Sequence, residues 1–369
     1  VRAERVRAPR PPALRGRIVA SLDDVGLDGE AWNALAARSD TRSVFQTYEW
    51  TRSWLATIGD QYQPWFVTVA DGSGVRGVAP LVVEARGSGE RIVRFLGDGR
   101  ADYLDLLAGD GEPLVVDAMF DALREHGRWD VIELNNIPGH SRTAPVLRDI
   151  CAAAGYRMLA DDQYPCPTLV IEGHEEEARR IANKPSLRRR TNYFNRSGRL
   201  VCRNLGTARD IEPYLEAFFD QHVTRWGGNG QGNSSLFVDP RNRSFYRELT
   251  RRMTGRGWLL FSVVEFNDRP IAFHYGFDYN GSVIWYKPSF DVAFEHHSPG
   301  IVMVRHLIGY ALDQKRRELD FTVGDEPFKR RFTNDVRKTV RVRVFRDQAR
   351  YYWECSKREL VGAVRKLAR

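Results

Sequence analysis

Residues 257–290, GWLLFSVVEFNDRPIAFHYGFDYNGSVIWYKPSF, read as three consecutive strands joined by two tight turns. The apolar runs on either side of Asn267-Asp268 and of Asn280-Gly281 carry the residues that two-residue hairpins favour, because Asn, Asp and Gly tolerate positive φ at low cost. A helical pattern follows at 300–316, then a strand at 318–324, and the strictly alternating RKTVRVRVF at 337–345 reads as a last strand.

The same order occurs earlier in the chain. Residues 65–70 and 77–83 flank a DGSG turn, with further strands at 91–97 and 103–109, a helix at 112–127 and a strand at 129–137. A helix at 43–58 precedes them, and two more at about 184–197 and 211–226 stand before the second set. The echo predicts a duplicated α/β unit with a mixed sheet and flanking helices. The two prolines of QYPCPT place the boundary between units at 165/166. The expected organisation is a loose basic arm at 1–16, a first lobe at 17–165, a second lobe at 166–350 and a basic helix at 351–369. The start, rich in Arg and Pro, lacks the apolar core of a secretory signal.

Composition narrows the chemistry. A formal charge of +8 suits an anionic partner such as cofactor phosphates or a nucleic acid. Four cysteines without CxxC spacing argue against a zinc site or a disulfide framework, and fit a reducing cytoplasm. No stretch approaches the ~18–20 apolar residues of a membrane span.

Several constellations could carry function. In FEHHSPG, Ser298 can cap the helix at 300–316, and Gly300 lets an anion approach the helix start. Arg188, Arg189 and Arg190 on the helix at 184–197 could bind phosphate. His222, Arg225 and Trp226 close a helix that runs into a Gly/Asn-rich loop. In IAFHYGFDY, Ile271, Phe273, Tyr275 and Phe277 share one face, and His274 projects from the other between small neighbours, where it could take a proton. In LDFTVGDEPFKRRF, residues 319–332, a lysine stands in a chain with only 7 lysines among 56 basic residues. Lys329 would lie near a strand end, where open α/β sheets keep their crevices, with Asp325 or Glu326 to hold it.

The succession SPG, helix, LDFTVGDEPFKRRF, together with KPSLRRR, HVTRW, RPIAFHYGF and FQTYEWTRSW, resembles the CelD-type acetyltransferases of cellulose and exopolysaccharide synthesis. These belong to the GNAT superfamily and are related to the FemABX aminoacyl-transferases. The resemblance covers roughly residues 40–345. It implies two tandem GNAT-like lobes and acyl transfer from acyl-CoA, most simply acetyl-CoA, to an amine or hydroxyl of a small-molecule or sugar acceptor. It implies no metal. Lys329 would match the lysine of the FemABX-like G-x-x-x-F-K motif.

Two departures stand out. The Q/R-x-x-G-x-G/A loop of acetyl-CoA enzymes is missing, and the second half carries no long charged heptad insertion like the coiled-coil arm of some FemABX members. On this expectation Lys329, His274 and Asp325 are catalytic; Ser298, Gly300, Ile301 and Arg188 hold the cofactor; His222, Arg225, Trp226 and Tyr286 contact the acceptor. The thioester would lie against strand 271–277. An aminoacyl-tRNA donor, or a scaffold with a degenerate site, are the alternatives.

Overall fold

The computed structural model describes residues 14–109, 112–227 and 235–367. Most of the expected basic arm and the Gly/Asn-rich loop at 228–234 lie outside the described residues, as do the last two residues of the expected basic helix.

The first half runs β1 (Arg15–Val19), α1 (Gly29–Arg38), α2 (Tyr48–Thr57), β2 (Gln63–Asp71), β3 (Gly74–Ala85), β4 (Arg91–Phe95), β5 (Leu107–Ala108), α3 (Pro113–His126), β6 (Val131–Pro138), α4 (Thr143–Ala153) and β7 (Arg157–Val170). The second half runs α5 (Glu175–Ala182), α6 (Pro185–Ser197), β8 (Leu200–Leu205), α7 (Ala208–Gly227), α8 (Pro240–Gly255), β9 (Leu259–Phe266), β10 (Arg269–Tyr279), β11 (Ser282–Phe290), α9 (Pro299–Asp313), β12 (Glu318–Asp320), β13 (Asp335–Phe345) and α10 (Gln348–Leu367).

Both hairpin turns read from 257–290 form. Asn267 and Asp268 take φ 50° and 63°, and Asn280 and Gly281 take 49° and 78°. Positive φ at both central residues matches the right-handed twist of the strands they join. The DGSG turn is held by Asp71, whose Oδ1 accepts from the Ser73 amide at 2.7 Å.

All strands join one mixed sheet in the order β1-β2-β3-β4-β6-β13-β7-β12-β11-β10-β9-β8, with β5 attached to β3. The last strand does not close the second half. β13 inserts antiparallel between β6 and β7, so the second half of the chain completes the sheet of the first. β7 then continues past β13 to pair with β12. The position 165/166 falls inside β7.

The described strands contain two parallel pairings, one per half. β4 and β6 pair over Ile92–Val93 and Val131–Ile132; β11 and β12 pair over Ser282–Ile284 and Glu318–Asp320. Each is bridged by a helix, α3 or α9, as a parallel pair requires. Each lasts two or three residues and then splays, so each half opens a wedge in the sheet.

Expected strands at 103–109 and 318–324 are shorter in the structure. The first is reduced to Leu107–Ala108 and the second ends at Asp320. The second has a local cause. Thr322 has φ 55°, strained for a β-branched residue, and is held there by its amide on Asp320 Oδ1 at 2.7 Å and its hydroxyl on the Trp285 carbonyl at 3.0 Å.

The halves share one core. Trp50 of α2 packs edge-on against Phe245 of α8 with centroids 5.1 Å apart, and Phe45 reaches Tyr286 of β11 at 5.1 Å.

Candidate active site

The expectation that an acyl group lies against strand 271–277 is not met. β10 is hydrogen-bonded along both edges, to β9 and to β11, so its amides are spent. The open edge belongs to β11, which on the side away from β10 has no strand beside it among the described residues from Trp285 to Phe290, after β12 has turned away. The β10/β11 register slips between Tyr275 and Phe277, which sets Gly276 against a bulge at Trp285–Tyr286. Ile271 also departs from the expected aromatic stripe. A second slip, between Pro270 and Ala272, puts it in the core beneath α9, while Phe273, Tyr275 and Phe277 pack on the opposite side.

A groove of about 290 Å³ runs along this edge, lined by Arg225, Trp285, Pro288, Gly300, Ile301 and Phe328. It meets a second hollow of about 450 Å³ at Ser298 and Ile301. The second hollow is walled by Ser186, Arg189, Arg190 and Arg331, with Tyr193 stacked on His297 at 3.8 Å. Three guanidinium groups stand beside the N-terminus of a fifteen-residue helix, where both favour negative charge. Ser298 and Ile301 line both hollows, and Gly300 lines the groove. Ser298 does so in a left-handed conformation, and its hydroxyl caps nothing. Arg188 is exposed on α6 outside this wall, while its neighbours Arg189 and Arg190 form part of it.

Between the lobes, Lys329 is 3% exposed. Its Nζ donates to the Val323 carbonyl at 2.9 Å and to Glu326 Oε2 at 2.8 Å. Asp325 stands apart on the surface in a bidentate pair with Arg330, so Glu326 is the acid that holds the lysine.

The sequence reading missed what surrounds Lys329. Asp102, on the loop after β4, is 8% exposed. Burial pushes its carboxyl above the usual carboxylate range, against the pull of the Lys287 ammonium and the charge of Lys329. Burial lowers Lys287 in turn, and Asp102 opposes that shift. Next to them, Asp320 accepts from Tyr103 Oη at 3.0 Å and is pushed up to about 7 by burial and then by Glu318. Asp320, Tyr103 and Cys166 line an interlobe cavity of about 300 Å³. Tyr103 opened a stretch read as a strand, and Asp102 lay just before it. Lys287 could have been noticed, because the rarity of lysine singles it out just as it does Lys329.

His274 is fully buried and stacks on Trp285 at 5.1 Å, and its Nε2 lies 3.2 Å from the Ile284 carbonyl. That contact fixes the neutral Nε2–H tautomer. Burial lowers its pKa to about 3, so it has neither solvent access nor the basicity for proton transfer at neutral pH. The space that small neighbours leave beside it is filled by its own ring, which lies over Gly276. His222 is also buried, bonded to Ser235 Oγ at 2.8 Å, with its pKa lowered to about 3 by burial first and by Lys287 and Arg225 next. Arg225 lines the groove, donates to the Pro288 carbonyl at 3.1 Å and lies over the Phe290 ring at 4.2 Å. Trp226 is partly exposed. Tyr286 is a buried strut between lobes, donating to the Arg100 carbonyl and accepting from Tyr246 Oη.

The two histidines set a pH response. Both have folded-state pKa values below the unfolded value of 6.5, so the unfolded chain binds more protons between about pH 3 and 6.5. Their contribution is present above pH 6.5 and is lost as pH falls. Each should change the folding equilibrium by up to about tenfold per pH unit in that window. Urea unfolding of the wild type and His274→Gln at pH 7 and pH 5 checks this. The variant should lose less stability between the two pH values, and an equal loss would contradict the assignment.

Two α/β units share one sheet, and a groove runs from a basic helix start along the open edge of β11, an arrangement of tandem GNAT-like fold. Residues 182–330 match the family model described as an acetyltransferase (GNAT) domain, a span that includes the groove, α9 and Lys329. Three solved structures share the fold across nearly the whole chain. FemX has a TM-score of 0.64 at 10% identity, covering 89% of this chain and 98% of its own. L-PGS from Bacillus licheniformis has 0.52 at 13%, covering 88% and 93%. A tandem GNAT protein from the clavulanic acid biosynthesis pathway has 0.51 at 14%, covering 89% and 98%. At these identities the likeness is one of fold. No curated protein matches the sequence. Among the described residues, no helix is long and apolar enough to cross a membrane, and no group of three or more His, Cys, Asp or Glu is placed to hold a metal ion.

Proposed function

We propose that the chain moves an acyl group from a CoA thioester to an amine or hydroxyl of a small-molecule or sugar acceptor. The observation that carries this is the open edge of β11, along which a groove lined by Phe328, the neighbour of Lys329 in sequence, meets a hollow walled by three arginines. The phosphates would sit against Arg189, Arg190, Arg331 and the start of α9, and the pantetheine arm would pair with β11 as an added strand. The acceptor heteroatom attacks the thioester carbon. Lys329 and a β11 amide stabilise the oxyanion, the C–S bond breaks, and CoA leaves as a thiolate. Asp102 is suited to take the acceptor's proton, because burial makes it more basic than an ordinary carboxylate. A cytoplasmic role in exopolysaccharide or cell-envelope synthesis follows the CelD resemblance.

A thermal-shift panel of acetyl-CoA, longer acyl-CoAs and charged tRNA tests the donor. An acyl-CoA present at about 100 times its Kd should stabilise by ~2.7 kcal/mol. The double variant Arg189→Ala/Arg190→Ala should lose most of that shift while keeping its ligand-free melting temperature, since both side chains are exposed. A shift only with charged tRNA, with affinity falling steeply from about 50 to 200 mM salt, would replace the CoA reading by the aminoacyl-tRNA one. No shift with any donor would favour the scaffold.

A further inference from the structure

The wedge of the first lobe has the same topology as the β11/β12 wedge and different chemistry. β4 and β6 separate after Val93 and Ile132 and enclose a cavity of about 340 Å³. Arg94 in its wall is bridged to Glu84 at 3.1 Å, Asp98 at 3.0 Å and Glu133 at 3.0 Å. Three carboxylates against one guanidinium leave a formal surplus of two negative charges (−3 + 1 = −2). Phosphate, which suits the arginines of the second lobe, is repelled here.

The rest of the wall is amide and aromatic. Asn135 donates to Asp98 at 2.9 Å and accepts from Gln163 at 3.2 Å. Asn136 is held at φ 61°, with its Nδ2 on the Ala101 carbonyl at 2.9 Å. Besides Arg94 Nε, which lies 3.1 Å from Glu84, two polar atoms of this wall are buried without a partner, the Asn136 Oδ1 and the Trp54 Nε1. Their residues are 8% and 1% exposed. Buried polar atoms are rarely left unsatisfied, and one acceptor with one donor are what a hydroxyl-bearing ligand answers. Tyr164, 46% exposed in the same wall, offers a ring face to the apolar side of a sugar ring.

We propose that this wedge is a second binding site, for a polyhydroxylated amine of the amino-sugar type. The amide and indole groups meet the hydroxyls, Tyr164 covers the ring, and the surplus carboxylate charge selects the ammonium. The site stands apart from the acyl-transfer reading, because binding is measured with no acyl donor present.

The test is titration calorimetry of the full chain with glucosamine and with glucose. Glucosamine should bind saturably, with glucose about fivefold weaker or worse, the size of a partly screened charge contact. Glu84→Gln should narrow that gap, because it removes one carboxylate that is half exposed. Tyr164→Ala should weaken both sugars about fivefold with an unchanged melting temperature. No saturable binding of glucosamine up to about 50 mM would overturn the site. Equal affinity for glucose would overturn the charge selection. An unchanged affinity in Tyr164→Ala would move the binding elsewhere.

Discussion

Lys329→Ala should lower kcat by on the order of 10² to 10³ and leave KM for the acyl donor nearly unchanged. That is the usual consequence of removing one preorganised oxyanion donor. On the proposed reading the donor's phosphates and arm bind elsewhere, at Arg189, Arg190 and the β11 edge, so ground-state binding would not depend on this ammonium. Lys329→Arg should fail as well. The Nζ fits between the Val323 carbonyl and Glu326, and it comes within 3.0 Å of where a Cβ on Gly324 would stand. A planar, five-donor guanidinium does not replace a compact ammonium in that space.

Lys329 is buried, so stability must be read alongside rate. Losing it strands the Val323 carbonyl, at a cost of ~1–3 kcal/mol. Thermal melting measures that cost, and single-turnover kinetics below the melting range isolate the chemistry. Glu326→Gln separates holding from catalysis, because it keeps a hydrogen-bond acceptor for the ammonium and removes only the charge. It should retain most activity. Wild-type kcat to within about threefold in Lys329→Ala would remove the lysine from the mechanism.

Gly276→Ala should be the most damaging small substitution in the sheet. An added Cβ would stand 2.2 Å from the His274 ring and 2.3 Å from the Ile284 carbonyl oxygen. The ring is locked against Trp285, and the carbonyl belongs to the strand bearing the bulge, so neither can retreat cheaply. Overpacking of this kind costs up to ~3 kcal/mol, and a backbone clash puts the site at the upper end. For a chain of this size that should lower the melting temperature by roughly 4 °C. Gly300→Ala is the control. Its added Cβ would meet only the edge of Phe290 at 3.5 Å, an ordinary contact, and melting should barely change. A Gly276→Ala protein as stable as the wild type would mean that the bulge is not built as described.

Much of the second half was legible because hairpin signals are local. Asn267-Asp268 and Asn280-Gly281 specify their turns through their own φ preferences, and strand alternation follows from the pleat. Lys329 was legible through composition, a rare residue beside a strand end. The role first given to His274 was not safe to read, although the alternation correctly put it opposite the aromatic stripe. Burial that lowers its pKa to about 3 comes from α9 and Trp285, elements that its neighbours in sequence do not reveal. Asp102 was invisible for the same reason, since its charged neighbours Lys287 and Lys329 are both more than 180 residues away along the chain.

The sequence by itself determined the repeated strand–helix–strand units, their turns, and a basic helix start in the second half. These depend on dihedral preferences and periodicities confined to a few neighbouring residues. Only the tertiary structure decided that β13 crosses into the first lobe's sheet, that β11 rather than β10 bears the open edge, and that a carboxylate from one lobe faces two lysines of the other. Strand order and the desolvation of charges depend on contacts between distant segments, and no local pattern encodes which segments those will be.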